Sequence, residues 1–73
     1  MNTEFKEKID SLLASIKEVR TTKGYSQEYV ATKLGMSQNA YSKLEMGKTS
    51  LKLKRLSQLA DILEIELSLI ITY

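Results

Sequence analysis

Four residue types are missing from this 73-residue sequence: cysteine, histidine, proline and tryptophan. Without cysteine and histidine, the chain cannot form disulfides, thiolate nucleophiles or the usual zinc sites. The lack of cysteine is compatible with a reducing cytoplasm, and the lack of proline argues against a linker. We therefore expect no metal, no cofactor and a cytoplasmic location.

Long hydrophobic runs and catalytic constellations are also missing. No apolar run approaches the ~20 residues of a membrane span, and the charged N-terminus has no signal-peptide core. There is no glycine-rich phosphate loop. Glu64 and Glu66 lie close in sequence, but we interpret them as ordinary solvated acids and not as catalytic residues. We expect one domain over residues 1–73, with no membrane partner and no enzymatic activity. Its small core favours oligomerisation.

The net charge of +2 is unevenly distributed along the chain. Residues 1–22 carry four basic and four acidic groups, and residues 56–73 carry three acids and no base. Residues 23–55 carry seven basic groups against two acids. A basic segment of this kind favours a nucleic-acid surface, although a solvated lysine-rich face is the alternative.

Residues 26–47 are predicted to form two short helices joined by a turn at Gly35, where a positive φ angle suits glycine. Ser37 is a good N-cap for the second helix, and Gly47 suits its C-terminal cap. The apolar residues repeat with helical spacing: Val30, Ala31 and Leu34 before the turn, and Ala40, Tyr41 and Leu44 after it. The spacing of the small Ala31, of Gly35 and of the inward-facing Tyr41 indicates a helix-turn-helix. The second helix of this motif contacts the DNA major groove.

This segment resembles the Cro/C1 (XRE-type) helix-turn-helix family of phage and bacterial regulators, over about residues 16–63. The matching residues are Gln27, Ala31, Gly35, Met36, Ser37, Tyr41, Ser42, Leu44, Glu45, Gly47 and Lys48. The resemblance implies an all-α, lambda-repressor-like DNA-binding domain of four or five helices.

The flanking sequence agrees with such a domain. A first helix is predicted over 3–22, and a fourth over roughly 52–63. The apolar stripe of the first comprises Phe5, Ile9, Leu12, Leu13, Ile16 and Val19, and the core residues predicted for the fourth are Leu53, Leu56, Leu59, Ala60 and Leu63.

The resemblance makes helix 37–46 the recognition helix. Glutamine and asparagine can bind adenine through two hydrogen bonds, and lysine can donate to guanine. The positions to which the family assigns base contacts are occupied by Gln38, Asn39 and Lys43.

Phosphate contacts are implied for Gln27, Ser37, Ser42, Lys48 and Thr49, with Lys52 or Arg55 as further candidates. Gln27 is also expected to brace the start of the recognition helix. Arg20 and Glu45 are expected to form a structural ion pair between the first helix and the recognition helix.

The last nine residues, 65–73, alternate apolar and mostly polar side chains, which predicts a β-strand. A lone strand has an open edge, so we expect it to pair with the same strand of a second copy through Leu67, Leu69 and Ile71. This dimerisation strand resembles that of HipB-type antitoxins. The alternative is a fifth helix.

The leading hypothesis is therefore a sequence-specific transcriptional regulator that binds double-stranded DNA as a homodimer. We expect it to repress by occupying a palindromic operator, since the sequence contains no effector domain. The alternative is the antitoxin of a toxin–antitoxin pair, which would bind a toxin protein as well as its operator.

Overall fold

The computed structural model describes residues 3–66. They form four helices: α1 (Thr3–Thr22), α2 (Gln27–Leu34), α3 (Gln38–Glu45) and α4 (Leu53–Leu63). Residues 3–66 contain no strand, which confirms the all-α prediction with four helices. None of the described helices is long and apolar enough to cross a membrane.

The predicted C-terminal strand, 65–73, lies almost wholly beyond this part of the chain. Ile65 and Glu66 have no regular secondary structure. Leu67, Leu69 and Ile71 lie outside the described residues, so their role in a dimer stays a prediction.

Serine caps start both helices of the helix-turn-helix. The backbone N–H of Tyr29 donates to Ser26 Oγ over 3.0 Å, and that of Ala40 donates to Ser37 Oγ over 3.1 Å. Each bond satisfies one of the N–H groups that a helix N-terminus leaves without an intrahelical partner. The two helices therefore begin where the sequence predicts.

Gly35 ends α2 in the left-handed conformation, with φ +71°. Its N–H donates to the Thr32 carbonyl over 3.1 Å, and the N–H of Met36 donates to the Ala31 carbonyl over 3.0 Å. This pair of bonds is a Schellman motif. It turns the chain sharply enough for α3 to begin three residues later.

The core is formed by residues of all four helices. α2 packs against α3 and α4, and α3 also packs against α1. The largest fully buried side chains are Tyr41, Ile16, Leu59, Leu63 and Val30. Ala31 is also buried, at 1% exposed.

Two predicted apolar positions are exposed. Leu53, predicted as core, is 68% exposed, and Phe5 in the α1 stripe is 54% exposed. Leu53 is the first residue of α4 and follows an exposed loop, while Leu51 packs against the core instead. Phe5 lies in the first two turns of α1, one turn before Ile9, which is the first residue of the stripe that packs on the core.

Candidate nucleic-acid interface

The exposed face of α3 carries the predicted base-contacting side chains. A helix turns about 100° per residue, so Asn39 and Lys43 lie one above the other on the side opposite the buried Tyr41 and Leu44. Gln38 is the first residue of the helix, and all three polar side chains are exposed. Asn39 and Lys43 therefore share one exposed face of α3, whereas Gln38 lies about 100° around the helix from Asn39, exposed in its first turn.

The opposite face of α3 is fixed by a buried carboxylate. Glu45, the last residue of the helix, accepts hydrogen bonds from three side chains on three helices. Arg20 donates from Nε to Oε2 over 2.8 Å and from Nη2 to Oε1 over 3.0 Å. Tyr41 Oη donates to Oε2 over 2.6 Å, and Gln27 Nε2 donates to Oε1 over 3.1 Å. We call these four residues the Glu45 network.

The electrostatics of the network keep Glu45 ionised. Burial by itself raises the pKa of this carboxyl, but the hydrogen bonds from Arg20, Tyr41 and Gln27 more than offset it, so the pKa lies below its ordinary value. The hydrogen bond to Glu45 raises the pKa of Arg20, and burial raises that of Tyr41. A charged pair with a neutral phenol donor is therefore the stable state at neutral pH.

Arg20 also fixes the entry to α2. Its Nη1 donates to the Tyr25 carbonyl over 2.8 Å. The predicted ion pair with Glu45 is present, with side chains 8% and 2% exposed. One arginine thus connects α1, the turn before α2 and the end of α3.

Gln27 is placed differently from the sequence expectation. The resemblance implies that it braces the start of the recognition helix, but its amide binds Glu45 at the end of that helix. The ionised carboxylate of Glu45 accepts a hydrogen bond from the Gln27 amide more strongly than a neutral carbonyl group would. Gln27 is half-buried, and its phosphate contact stays a prediction.

The other predicted phosphate-contacting residues lie at both ends of α3. Ser37 is exposed at the N-terminus, and Ser42 is half-buried one turn further along. Lys48 and Thr49 are exposed in the loop that follows Gly47. Gly47 has φ +79°, and its N–H and that of Lys48 donate to the carbonyls of Leu44 and Lys43 in a second Schellman motif.

Sequence reasoning missed three contacts. Tyr41 and Glu45 lie four residues apart on one helix, a spacing that predicts adjacent side chains. The bond of Gln27 to Glu45 joins residues 18 apart, and that of Arg55 to the Leu34 carbonyl joins residues 21 apart. No local pattern signals the last two.

Comparison with known proteins agrees with this architecture. A family model described as helix-turn-helix matches residues 16–70 of the chain. A curated relative is the SPbeta prophage-derived uncharacterized HTH-type transcriptional regulator YonR of Bacillus subtilis (strain 168). The two are 46% identical over 48 residues, which is 66% of this chain and 44% of the relative.

This chain thus matches less than half the length of that relative. No solved structure matches significantly. The family match extends over most of the chain and includes the whole of α2, α3 and α4. The chain therefore belongs to the Cro/C1-type (XRE) helix-turn-helix family of DNA-binding regulators, a family of transcription factors and not of enzymes.

Proposed function

We propose that this chain binds double-stranded DNA sequence-specifically, with α3 in the major groove and with Gln38, Asn39 and Lys43 in contact with bases. The observation that carries the proposal is the two-sided character of α3. One side exposes Asn39 and Lys43, Gln38 is exposed in the first turn, and the side opposite Asn39 and Lys43 is fixed by the Glu45 network. All three exposed side chains are suited to base edges. Side chains that fix one side of a helix in this way keep its orientation constant, and base-specific hydrogen bonds require a constant orientation.

Phosphate contacts are proposed for Gln27, Ser37, Ser42, Lys48 and Thr49. Support comes from the exposed Ser37 at the start of α3 and the exposed Lys48 and Thr49 after its end, where a helix lying in the groove meets the two sugar–phosphate backbones. Such contacts position the protein and carry no sequence information. Binding should therefore weaken steeply with salt.

A homodimer and a repressor role complete the proposal. One α3 covers only a few base pairs, so two copies would bind half-sites about one helical turn, ~34 Å, apart. Support for the dimer comes from the alternating apolar residues of 65–73, including Leu67, Leu69 and Ile71, within a single domain whose helix-turn-helix occupies 26–47. Repression would follow from occupation of a promoter by the bound dimer.

The antitoxin alternative depends on the same C-terminal segment and on a toxin partner. Residues 3–66 add no specific support for it, so the regulator is the function proposed.

The test is selection of a binding site from random DNA duplexes, followed by affinity measurements on the selected duplex and on a scrambled one of equal length. Gln38→Ala with Asn39→Ala should remove the preference for the selected duplex and leave binding to the scrambled one nearly unchanged. Lys43→Ala should lower the preference, whereas Lys17→Ala, which removes an exposed lysine from α1, should not. If the double variant keeps its preference, α3 is not the recognition helix.

A further inference from the structure

Arg55 differs from the other basic residues of the region 23–55. Lys43, Lys48, Lys52 and Lys54 are exposed, but Arg55 is half-buried. Its Nη1 donates to the backbone carbonyl of Leu34 over 3.0 Å and to Gln58 Oε1, on its own helix, over 3.1 Å. The guanidinium is therefore held between α4 and the end of α2.

The Leu34 carbonyl is a specific target for such a group. Leu34 is the last residue of α2, and the final carbonyls of a helix have no intrahelical partner. The N–H groups of Met36 and Gly35 take the carbonyls of Ala31 and Thr32. Arg55 takes that of Leu34, and its charge lies at the negative end of the α2 dipole.

This contact has a consequence for the loop 46–52 between α3 and α4. At the start of the loop, Gly47 lies so close to α1 that an added Cβ would be 3.2 Å from Leu13 Cδ1. At its end, Arg55, the third residue of α4, connects the first turn of that helix to the turn that precedes α3. The segment carrying Lys48 and Thr49 is thus anchored at both ends relative to α3.

We infer that Arg55 is a positioning residue for DNA binding, which rests on the proposed function. It joins α4 to the α2–α3 turn and so fixes the phosphate-contacting loop against the recognition helix, and it does not itself bind phosphate. This assigns Arg55 a different role from that of its exposed lysine neighbours.

The first test compares Arg55→Met with Lys54→Met, which removes a cation from the adjacent, exposed position. Amide hydrogen exchange at residues 35–37 should become at least about threefold faster in Arg55→Met and stay unchanged in Lys54→Met, because only the first releases the turn. Arg55→Lys retains the charge without the planar fork, and should show a smaller change in the same direction. If Arg55→Met does not fold, Arg55→Lys is used for the test in its place. Unchanged exchange in both Arg55 variants would overturn the inference.

The second test measures affinity against salt concentration, on the selected duplex and on its scrambled counterpart, at a temperature where every variant is fully folded. Arg55→Met should lose about tenfold on the selected duplex relative to Lys54→Met. Lys48 and Thr49 are still present in Arg55→Met and can contact phosphates from a less firmly held loop; what is lost is their fixed position relative to α3, which only the base contacts require. The affinity for the scrambled duplex and the slope of log K against log salt should therefore stay close to those of the unmodified chain. A general loss of stability would not produce this difference between the two duplexes.

A different result would assign the phosphate role instead. If Arg55→Met weakens binding to both duplexes equally and lowers the salt slope by about 1, Arg55 contacts DNA directly and the inference is wrong. If no sequence can be selected from the pool, the proposed function fails. The exchange rates at residues 35–37 then decide by themselves whether Arg55 holds the turn between α2 and α3 in place.

Discussion

Tyr41 Oη donates to Glu45 Oε2 over 2.6 Å, and both residues belong to α3. Tyr41 is completely buried, and its ring packs in the core beneath α3. The same side chain thus contributes to the hydrophobic core and to the Glu45 network. Removing only its hydroxyl separates the two contributions.

Tyr41→Phe is expected to destabilise the domain by about 1.5–3 kcal/mol. The ring stays in place, but the ionised Glu45 loses a hydrogen bond, and bonds to charged groups have this magnitude. The free energy of unfolding from urea denaturation measures the effect. Tyr29→Phe is the control, because Tyr29 is 42% exposed and its loss of a hydroxyl should cost less than about 0.5 kcal/mol. Equal effects of the two variants would contradict a role for the Tyr41 hydroxyl in stability.

Arg20→Met is expected to cost more, about 3–5 kcal/mol, because it leaves the buried carboxylate of Glu45 without its cation. A domain of this size has only several kcal/mol of stability, so the variant should be close to unfolding at room temperature. Circular dichroism during thermal unfolding measures this.

The matched variant replaces all three buried members of the network: Arg20→Met, Tyr41→Phe and Glu45→Leu. It leaves no buried charge, and Gln27 is only half-buried and can turn to solvent. It should therefore be more stable than Arg20→Met alone. If it is no more stable than Arg20→Met, the unpaired carboxylate of Glu45 is not the cause of the loss in that variant.

The helices themselves follow from local sequence. Ser26, Ser37 and Gly35 act on backbone groups within five residues, and the apolar periodicity between them needs no knowledge of the rest of the chain. These features sufficed to predict α2 and α3, and the apolar stripes of residues 3–22 and 52–63 sufficed for α1 and α4. The Arg20–Glu45 pair is not local, and it came from the family resemblance.

Other features depend on where separate helices meet. The hydrogen-bond acceptor of Gln27 depends on which oxygen atom the folded chain places near its side-chain amide. That atom is Glu45 Oε1, at the end of α3, and not an atom at the start of the helix. The same holds for Arg55, which the sequence offered as a phosphate contact. Leu53 was assigned to the core by periodicity alone, but a residue in the first turn of a helix is buried only if another element covers it.

Acid is expected to destabilise the domain through Glu45. Its pKa is lower in the folded chain than its ordinary value. At any pH above that ordinary value, the ionised carboxylate therefore stabilises the folded state in full. This stability is lost as the pH falls through the folded-state pKa, because the proton then added neutralises the partner of Arg20. Unfolding free energies from about pH 7 to about pH 3 measure the loss.

Glu45→Gln provides the comparison for the acid titration. It should be less stable than the unmodified chain at neutral pH, and the difference between the two should shrink as the pH falls. Glu18→Gln, which replaces an exposed glutamate of α1, is the control for a general change in charge. A constant difference between Glu45→Gln and the unmodified chain across the pH range would contradict the assignment.

Glu64→Gly is expected to stabilise the domain by about 1 kcal/mol. Glu64 follows α4 with φ +58°, and among residues 3–66 it is the only non-glycine with a positive φ. Glycine adopts this conformation without the steric cost of a Cβ. The exposed ion pair that would be lost, with Lys23 Nζ at 3.6 Å, contributes little. The melting temperature should rise by about 4–8 °C.

Glu64→Ala is the control for that substitution, because it removes the carboxylate and keeps the Cβ. It should leave the melting temperature within about 2 °C of its original value. A similar rise in both variants would mean that the charge of Glu64, and not its backbone conformation, limits the stability of the α4 terminus.

Lys48→Ala and Asn39→Ala should affect DNA binding in different ways, if the proposed function is correct. Lys48 lies in the loop after α3, so its loss should weaken binding to selected and scrambled duplexes equally and lower the salt slope by about 1. Asn39 lies on the exposed face of α3, so its loss should cost about 1–3 kcal/mol on the selected duplex alone, with an unchanged slope. Fluorescence anisotropy at several salt concentrations measures both quantities. If the two variants behave alike, the division of this surface into base-contacting and phosphate-contacting residues is wrong.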